Sequence, residues 1–349
     1  MDAPLVSIII PCYNARPFVA EAIGSALEQT YVNREVIVID DGSTDGSQDV
    51  VRSFNKDVRF EAWPNRGAGA ARNRGLSLAR GEMVQFLDAD DVMHPDKLTR
   101  QVRASIAARP LLTYCDYNVR RANGQLAEDR QSRDCQGLDP IVFVLAVCRL
   151  QTSAPLHWKW MLTNIGGFRE DLRGSQEYDL HLRLAAAGAR FFHIREVLYT
   201  FRETSGSMSS DYVRTVSEQL KFLPNLVASL QAAGDLTEER ARAVADRLAQ
   251  NGRQCLQRGG RKPGLAFLEA ARAVHPSGGL EAVYSTATRW LYRMVGPVPT
   301  EMMVGLKRRL LGQGRTAHER PSGPAHAELN LPSPARHVNR PRISTSDNF

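Results

Sequence analysis

Three carboxylates follow directly on an apolar run in the stretch FLDADDVMHP, residues 86–95. They belong to Asp88, Asp90 and Asp91, and carboxylates this close repel one another and are costly to bury unpaired. Oxygen ligands of this kind suit Mg²⁺ or Mn²⁺, and Mg²⁺ usually binds one or two carboxylates together with substrate phosphates. The D-x-D spacing therefore predicts a metal-bound diphosphate. A turn and a helix cap are the structural alternative for an isolated D-x-D.

Strand and helix patterns alternate before and after these acids. Apolar, β-branched runs predict strands over 5–10, 35–40, 58–63 and 83–87. Helical spacing predicts helices over 17–29, 67–79 and 96–108, and a capping box of Asp45 and Gln48 predicts a short helix between the second and third strands. This alternation is typical of an α/β fold with a mostly parallel sheet flanked by helices.

Polar residues follow all four predicted strands. The strand ends read PCYN, DDGS, WPNRG and DADD, so two of them carry paired acids. In such sheets ligands bind beyond the carboxyl ends of the strands. Loops are polar in any protein, and it is the two acid pairs in one sheet that favour a binding site over that alternative.

The pattern becomes less regular after residue 110. We expect a Gly-rich turn over 163–172, a helix over 175–188 and a strand over 190–202. Beyond residue 213 the pattern is helical, with Thr237 as the cap of a helix that ends near Gln257.

Four blocks of the sequence resemble the successive blocks of family-two glycosyltransferases with the GT-A fold. They are VSIIIPCYNARPFVAEAIGSALEQTY, EVIVIDDGSTDGS, NRGAGAARNRGLSLARGEMVQFLDADD and IGGFREDLRGSQEYDLHLRLAAAG, in order and at ordinary spacing over roughly residues 5–210. The resemblance implies a GT-A-like, Rossmann-type nucleotide-sugar domain over residues 1–212. The remaining pattern predicts a helical C-terminal region over 213–312 and a disordered basic tail over 313–349.

The resemblance also implies a reaction. Such enzymes transfer a sugar with inversion from a nucleotide diphosphate, often UDP, to a hydroxyl of an acceptor, here expected to be a glycan, a lipid-linked molecule or another envelope component. Because no Q-x-x-R-W block and no transmembrane helix is present, we expect transfer of a single sugar. The alternative is a nucleotide-sugar binding or partner-recruiting protein with little turnover.

Five residues are implied to hold the nucleotide. By resemblance, Pro11 and Tyr13 line the nucleoside pocket, Asp41 accepts from the base edge, Asp40 lies beside the ribose, and Arg72 helps to hold the nucleotide. Their structural alternatives are a core aromatic for Tyr13, a strand-ending turn for the two acids and a surface charge for Arg72.

The same resemblance gives roles to the DADD acids. Asp88 is implied to face the ribose or donor sugar, with Asp90 as the main ligand of Mg²⁺ or Mn²⁺ and Asp91 in support. A departing nucleoside diphosphate develops negative charge, and a divalent ion stabilises that charge in the transition state.

The acceptor requires a base, and the block SQEYD stands at the place of a family E-D-x-D-like block. Glu177 is implied to be the general base, with Asp179 behind it; many relatives have Asp at the position of Glu177, so this chain departs by one methylene. The alternative is an exposed acid in the first turn of a helix. Thr204 is a second departure, since relatives often carry there a His that contacts metal or phosphate.

Three further residues, Arg202, Ser207 and Ser209, are candidates to cover the diphosphate in place of that His, or are ordinary loop residues. No spacing among His94, His157, His181 and His193 predicts a metal site, and none of them is assigned.

Charge and cysteine content bear on partners and compartment. The net charge is +7, and residues 307–349 contribute +5 through eight Lys or Arg against three acids. Stacking aromatics are nearly absent there, so we expect no nucleic-acid partner. Scattered cysteines, no signal peptide and no apolar run of membrane-spanning length predict a cytoplasmic protein.

Residues 284–311 mix apolar side chains with five basic ones and are split by two prolines. They suit peripheral contact with the cytoplasmic face of a membrane. Packing of the apolar residues against the catalytic domain is the equal alternative.

Overall fold

The computed structural model describes residues 3–107, 111–130, 135, 137–146, 150–204 and 211–310. Its strands in chain order are β1 (Val6–Cys12), β2 (Arg34–Asp40), β3 (Arg59–Ala62), β4 (Met83–Phe86), β5 (Val92–Met93), β6 (Leu111–Arg120), β7 (Leu126–Arg130), β8 (Leu156–Trp158) and β9 (Arg190–Arg202).

Helices cover the sheet and make up the C-terminal part of the described chain. They are α1 (Val19–Leu27), α2 (Ser47–Ser53), α3 (Ala68–Leu78), α4 (Lys97–Ala107), α5 (Pro140–Ala146), α6 (Lys159–Asn164), α7 (Gln176–Ala186), α8 (Tyr212–Ser217), α9 (Leu223–Ala232), α10 (Glu238–Gln257), α11 (Arg261–Val274), α12 (Leu280–Val283), α13 (Thr286–Val295) and α14 (Pro297–Leu310).

The described strands form one nine-stranded sheet in the order β3-β2-β1-β4-β8-β6-β9-β5, with β7 paired to β6. The first four strands of this order are parallel, with Ile9 of β1 opposite Ile37 of β2 and Phe86 of β4. All three side chains are fully buried, because helices cover both faces of this part of the sheet. The carboxyl ends of β2, β1 and β4 therefore lie side by side at one edge.

The second half of the sheet is mixed. Strand β8 runs antiparallel to both β4 and β6, and β6 and β9 then pair in parallel. The α/β architecture and the alternating elements of the first 108 residues agree with the sequence pattern. Strands β5 to β8 were not predicted, because three of them are only two to five residues long and show no full alternation.

The C-terminal helices pack on the same core as the sheet. Val244 and Leu248 of α10 and Phe267 of α11 are buried in a cluster that also contains the strand residues. Thr237 caps α10 as predicted, and its hydroxyl accepts from the Arg240 amide at 3.3 Å. The division at residue 212 stays a prediction, and residues 313–349 lie outside the described part of the chain.

Close helix contact explains one pair of glycines. A β-carbon on Gly252 of α10 would lie 2.9 Å from the carbonyl oxygen of Gly264 in α11, which is too short for any side chain. The two helices therefore cross with their backbones in contact. Within the described residues, each helix falls short of the length and apolar character that a bilayer crossing requires.

Two buried histidines stack between the sheet and α7. The rings of His157 in β8 and His181 in α7 are parallel, with centroids 5.7 Å apart, and both side chains are almost fully buried. Burial lowers the pKa of His157 to about 3, and burial followed by the neighbouring His157 lowers the pKa of His181 well below its ordinary value. Both rings are therefore neutral in the folded protein at neutral pH.

This pair predicts acid sensitivity. The unfolded chain binds a proton at His157 below about pH 6.5 whereas the folded chain does not, so stability falls as the pH drops. Between pH 7 and pH 5 the contribution of His157 amounts to ~2 kcal/mol. Urea unfolding of wild type and His157→Phe at both values should show that much less pH dependence in the variant. An equal pH dependence in both proteins would contradict the prediction, and His94→Gln, an exposed site, is the control.

Candidate functional site

Asp41, at the end of β2, organises the loop that leads from β3 to α3. Its Oδ1 accepts from Trp63 Nε1 at 3.1 Å and from the Arg66 amide at 2.8 Å, and its Oδ2 accepts from the Gly67 amide at 2.8 Å. The side chain is buried. Asp41 thus fixes the position of the loop between β3 and α3. A strand-ending turn alone would not need these three contacts with residues 22 or more positions away.

Asp40 has an acceptor to spare. Its Oδ1 accepts from the Ser43 amide at 2.9 Å and from Gln48 Nε2 at 2.8 Å, while its buried Oδ2 has no hydrogen-bond partner among the described residues. The predicted capping box does not form, because Gly46 is the N-cap of α2 and Gln48 reaches Asp40 instead. Gln48 therefore contacts the candidate site through Asp40, whereas its spacing from Asp45 had indicated only a helix cap.

The loop after β1 presents Tyr13 to solvent. Tyr13 is 54% exposed, which rules out the core-aromatic alternative. Pro11 is half-buried near the end of β1. Asn14 has a φ of 48°, donates its amide to Ser43 Oγ at 2.9 Å and accepts from the Thr44 amide at 2.9 Å. The loops after β1 and β2 are thereby joined, and the Tyr13 ring lies at their edge.

Asp91 lies behind the D-x-D acids and holds their turn. Its Oδ2 accepts from Ser153 Oγ at 2.6 Å and its Oδ1 from the Arg202 amide at 3.1 Å. Ser153 Oγ in turn accepts from the Asp88 amide at 3.1 Å. Burial, followed by the charges of Asp88 and Asp90, raises the pKa of Asp91 well above its ordinary value. Both Asp91 oxygens are therefore engaged by the protein.

Asp90 is half-buried beside Asp88. Its Oδ2 accepts from Thr204 Oγ1 at 3.3 Å, and its backbone carbonyl accepts from Arg202 Nε at 3.0 Å. Burial, and secondly the charge of Asp88, raises the pKa of Asp90 to about 6. This carboxylate is destabilised in its charged form, as is expected where a bound cation would complete the site.

The oxygen atoms at this turn fit a divalent cation. Asp88 and Asp90 are the two partly exposed carboxylates of the turn, and the described residues hold no group of three or more His, Cys, Asp or Glu placed as metal ligands. Mg²⁺ is commonly held in this way, by one or two carboxylates with the remaining ligands from water and phosphate.

Arg72 joins the D-x-D turn to α7. Its Nη2 donates to Asp88 Oδ1 at 2.8 Å and its Nη1 to Gln176 Oε1 at 3.0 Å, and its guanidinium lies 5.2 Å from the centre of the Phe168 ring. Arg72 is buried, so it is not the surface charge that was the alternative. A buried guanidinium needs such partners, and here they come from strands and helices distant in sequence.

The two acids of SQEYD have different environments. Asp179 is buried and its Oδ2 accepts from Arg183, with 2.6 Å to Nη2, while Arg183 also donates to the carbonyls of the turn before α7. Glu177 is half-buried in the first turn of α7, directly after Gln176. Ser175 before them has a φ of 54°, a conformation that non-glycine residues adopt mainly where neighbours impose it.

The structure adds residues that no sequence pattern indicated. They are Gln48, Ser153 and Gln176, together with the contacts of Arg202 to the DADD turn. Ser153 meets Asp88 only because β8 inserts beside β4, which local spacing cannot reveal. Ser207 and Ser209 lie outside the described residues.

The first part of the chain resembles a known protein family. The model of glycosyl transferase family 2 matches residues 7–145, which contain the strand ends after β1, β2 and β4. Over residues 7–145 the chain is thus similar to glycosyl transferase family 2. The resemblance seen in the sequence is thereby confirmed for this part of the chain.

Curated relatives of this chain are named as glycosyltransferases. An uncharacterised glycosyltransferase of Rickettsia typhi is 31% identical over 205 residues, which cover 57% of this chain and 64% of the relative. A putative teichuronic acid biosynthesis glycosyltransferase of Bacillus subtilis, TuaG, is 37% identical over 125 residues, 35% of this chain and 50% of the relative. The chain thus spans less than two thirds of the length of each.

Solved structures of similar fold cover more of the chain. TarS of S. aureus in complex with UDP-GlcNAc aligns with a TM-score of 0.67 at 19% identity, covering 88% of this chain and 92% of that one. Mannosyltransferase PcManGT of Pyrobaculum calidifontis, in complex with GDP-Man and Mn²⁺, aligns with a TM-score of 0.52 at 21% identity, covering 89% and 88%. The expected GT-A-like fold is thereby confirmed.

Ser153 provides a test of how the D-x-D turn is held. Ser153→Ala removes the hydroxyl that links the Asp88 amide to Asp91, and loss of a buried hydrogen-bond partner costs about 1–3 kcal/mol. Chemical denaturation should show that loss. Ser77→Ala removes an exposed hydroxyl on α3 and should change stability by less than about 0.5 kcal/mol. Equal stability of Ser153→Ala and wild type would mean that the turn does not depend on this contact.

Proposed function

We propose that the protein is an inverting glycosyltransferase that moves a single sugar from a nucleotide-diphosphate sugar, UDP-linked, to a hydroxyl of a glycan, lipid-linked or other envelope acceptor. The observation that carries the proposal is the bridge made by Arg72, which brings the D-x-D turn and the acidic start of α7 to one site. A donor site and an acceptor base must be neighbours for direct transfer.

The donor would bind across the ends of β1, β2 and β4. Tyr13 offers an exposed ring on which a nucleobase can stack, with Pro11 behind it. Asp41 orders the loop around the base, and Asp40 keeps a free carboxylate oxygen for a hydroxyl or amide of the nucleoside. Asp88, held by Arg72, would face the ribose or the sugar.

Asp90 would hold Mg²⁺ or Mn²⁺ at the diphosphate, with Asp88 beside it and Asp91 in support of the turn. When bound, the cation supplies positive charge that stabilises the diphosphate as it leaves. The raised pKa of Asp90 supports this assignment, since a carboxylate whose charged form is destabilised by burial and secondly by Asp88 gains from a cation. Thr204 Oγ1 would orient the Asp90 carboxylate through its contact at 3.3 Å.

Glu177 would act as the base and Asp179 as the residue that positions its helix. The acceptor hydroxyl gives its proton to the Glu177 carboxylate while its oxygen bonds to the anomeric carbon and the bond from that carbon to the phosphate breaks. Attack from the opposite side inverts the anomeric centre. Asp179 is occupied by Arg183, which ties α7 to the turn before it.

The envelope acceptor is supported by the relative named for teichuronic acid biosynthesis. A hydroxyl group is also an acceptor from which a single carboxylate base can remove the proton.

Removal of the Asp90 carboxylate tests the cation. Asp90→Ala should weaken UDP binding measured by calorimetry in Mn²⁺ or Mg²⁺, and should have little effect in EDTA, because the cation joins protein to diphosphate. The control is Asp49→Ala, an acid exposed on α2. Identical affinities for wild type and Asp90→Ala in every condition would remove the cation from the proposal.

Replacement of the base tests the reaction. Glu177→Gln keeps the shape of the side chain and should lower sugar transfer about a hundredfold to ten-thousandfold, with donor affinity within a few-fold of wild type. Asp179→Asn should mainly reduce stability, because it weakens the contact with Arg183. Normal transfer by Glu177→Gln together with inactive, folded Asp179→Asn would move the base to Asp179. Donor binding by wild type without any turnover would favour the nucleotide-sugar binding alternative.

A further inference from the structure

Helices α13 and α14 expose large apolar side chains. We call them the 290–303 patch: Trp290 (65% exposed), Met294 (65%), Val295 (41%), Met302 (71%) and Met303 (50%). Trp290 and Met294 are one helical turn apart and so lie on the same face of α13. The packing alternative for residues 284–311 therefore fails for these five side chains.

The same two helices are anchored to the protein through their other faces. Tyr292 is buried and its hydroxyl accepts from Arg272 Nη2 at 2.9 Å. Glu301 is also buried, and accepts from Arg253 Nε at 3.1 Å and from Gln257 Nε2 at 2.9 Å. The patch is thus the outer side of a docked helical pair, with apolar residues where solvent-facing helices normally carry polar ones.

The sequence around the patch carries an excess of positive charge, and the acid just before α13, Glu281, is paired with Arg242 and Arg289. Between residues 282 and 318 the sequence holds six Lys or Arg and a single acid, Glu301. That acid is turned inward to Arg253, whereas Arg293 on α13 is exposed. Over residues 282–349 as a whole the sequence holds ten Lys or Arg against four acids, a net charge of +6. Any partner of the patch must therefore be apolar at its centre and negatively charged around it.

We propose that the 290–303 patch docks on an anionic lipid surface, with Trp290 and the methionines at the headgroup boundary and Arg293 among the phosphates. Apolar side chains beside Arg or Lys are the composition of helices that lie in the membrane interface. A second copy of this chain would bring like charges together, which is unfavourable. The sequence after residue 310 also has a net positive charge, which makes it an unfavourable occupant of the patch.

This inference goes beyond the proposed function, since it rests on the surface of α13 and α14 and not on the site at β1, β2 and β4. It would place the protein at the surface where lipid-linked acceptors are found. Because neither helix is long or apolar enough to span a bilayer, the attachment would be peripheral and reversible.

Flotation of the full chain with vesicles tests the proposal. Vesicles of phosphatidylcholine with phosphatidylglycerol should carry the protein at low salt, and vesicles of phosphatidylcholine alone should carry much less. The double variant Trp290→Ser/Met294→Ser should lower partitioning about tenfold or more. Arg293→Glu should lower it about fivefold or more, since one basic residue near an anionic surface contributes ~1 kcal/mol.

Trp160→Ser is the matched control, because Trp160 is 47% exposed but lies outside the patch, and it should partition like wild type. Circular dichroism and donor-induced thermal stabilisation of every variant show whether the fold and the donor site are intact. If wild type does not bind a nucleotide-sugar donor, the proposed function is wrong. The vesicle result would still stand, because it does not depend on the donor site.

Three outcomes would overturn the inference. Absence of the protein from both kinds of vesicle at low salt is the first, and equal flotation of wild type and both patch variants is the second. The third is concentration-dependent dimerisation in ultracentrifugation that disappears in Trp290→Ser/Met294→Ser, because the patch would then be an interface between copies. If the double variant is unfolded, Arg293→Glu decides the outcome alone.

Discussion

The pairing of the buried Arg72 guanidinium with Asp88 is the interaction on which the arrangement of the site depends. A buried cation without a partner is strongly destabilising, so Arg72 constrains both of its acceptors. Asp88 follows β4 and Gln176 begins α7, and the two are 88 residues apart in sequence. Through one side chain the end of the parallel sheet is fixed relative to the helix that carries Glu177. Phe168 beneath the guanidinium excludes water from this contact and so strengthens it.

The acids at the strand ends show how neighbouring carboxylates acquire different roles. Asp41 accepts three hydrogen bonds from the loop over residues 63–67, whereas Asp40 Oδ2 has no partner among the described residues. Asp91 is enclosed by Ser153 and the Arg202 amide, whereas Asp90 is only half-buried. In each pair both oxygens of one carboxylate accept hydrogen bonds that hold the turn, and the other carboxylate has fewer such bonds. The repulsion between neighbouring carboxylates is thus partly offset by the hydrogen bonds that Asp41 and Asp91 accept.

The sequence predicted strands β1 to β4 and helices α1 to α4 because apolar strand and helix patterns alternate there. It predicted the strand-end acids for the same reason, since parallel strands bring their ends to one edge. It did not predict Ser153 or the partners of Arg72, because these contacts arise from the insertion of β8 beside β4 and from the approach of α7. The sequence assigned Gln48 to a capping box because it lies three residues after Asp45. In the structure its side chain instead donates a hydrogen bond to Asp40.

The closure of the DADD turn by Ser153 and Arg202 has a consequence for synthesis of the chain. The segment that matches the family model ends at residue 145, yet the turn at residues 88–91 is completed by residues 153 and 202. During translation the parallel half of the sheet can form while these residues are still inside the ribosome. At that stage Arg72 can already pair with Asp88, whereas Asp91 still lacks Ser153 and the Arg202 amide, and Asp90 lacks Thr204. Maturation of the site must follow emergence of β9.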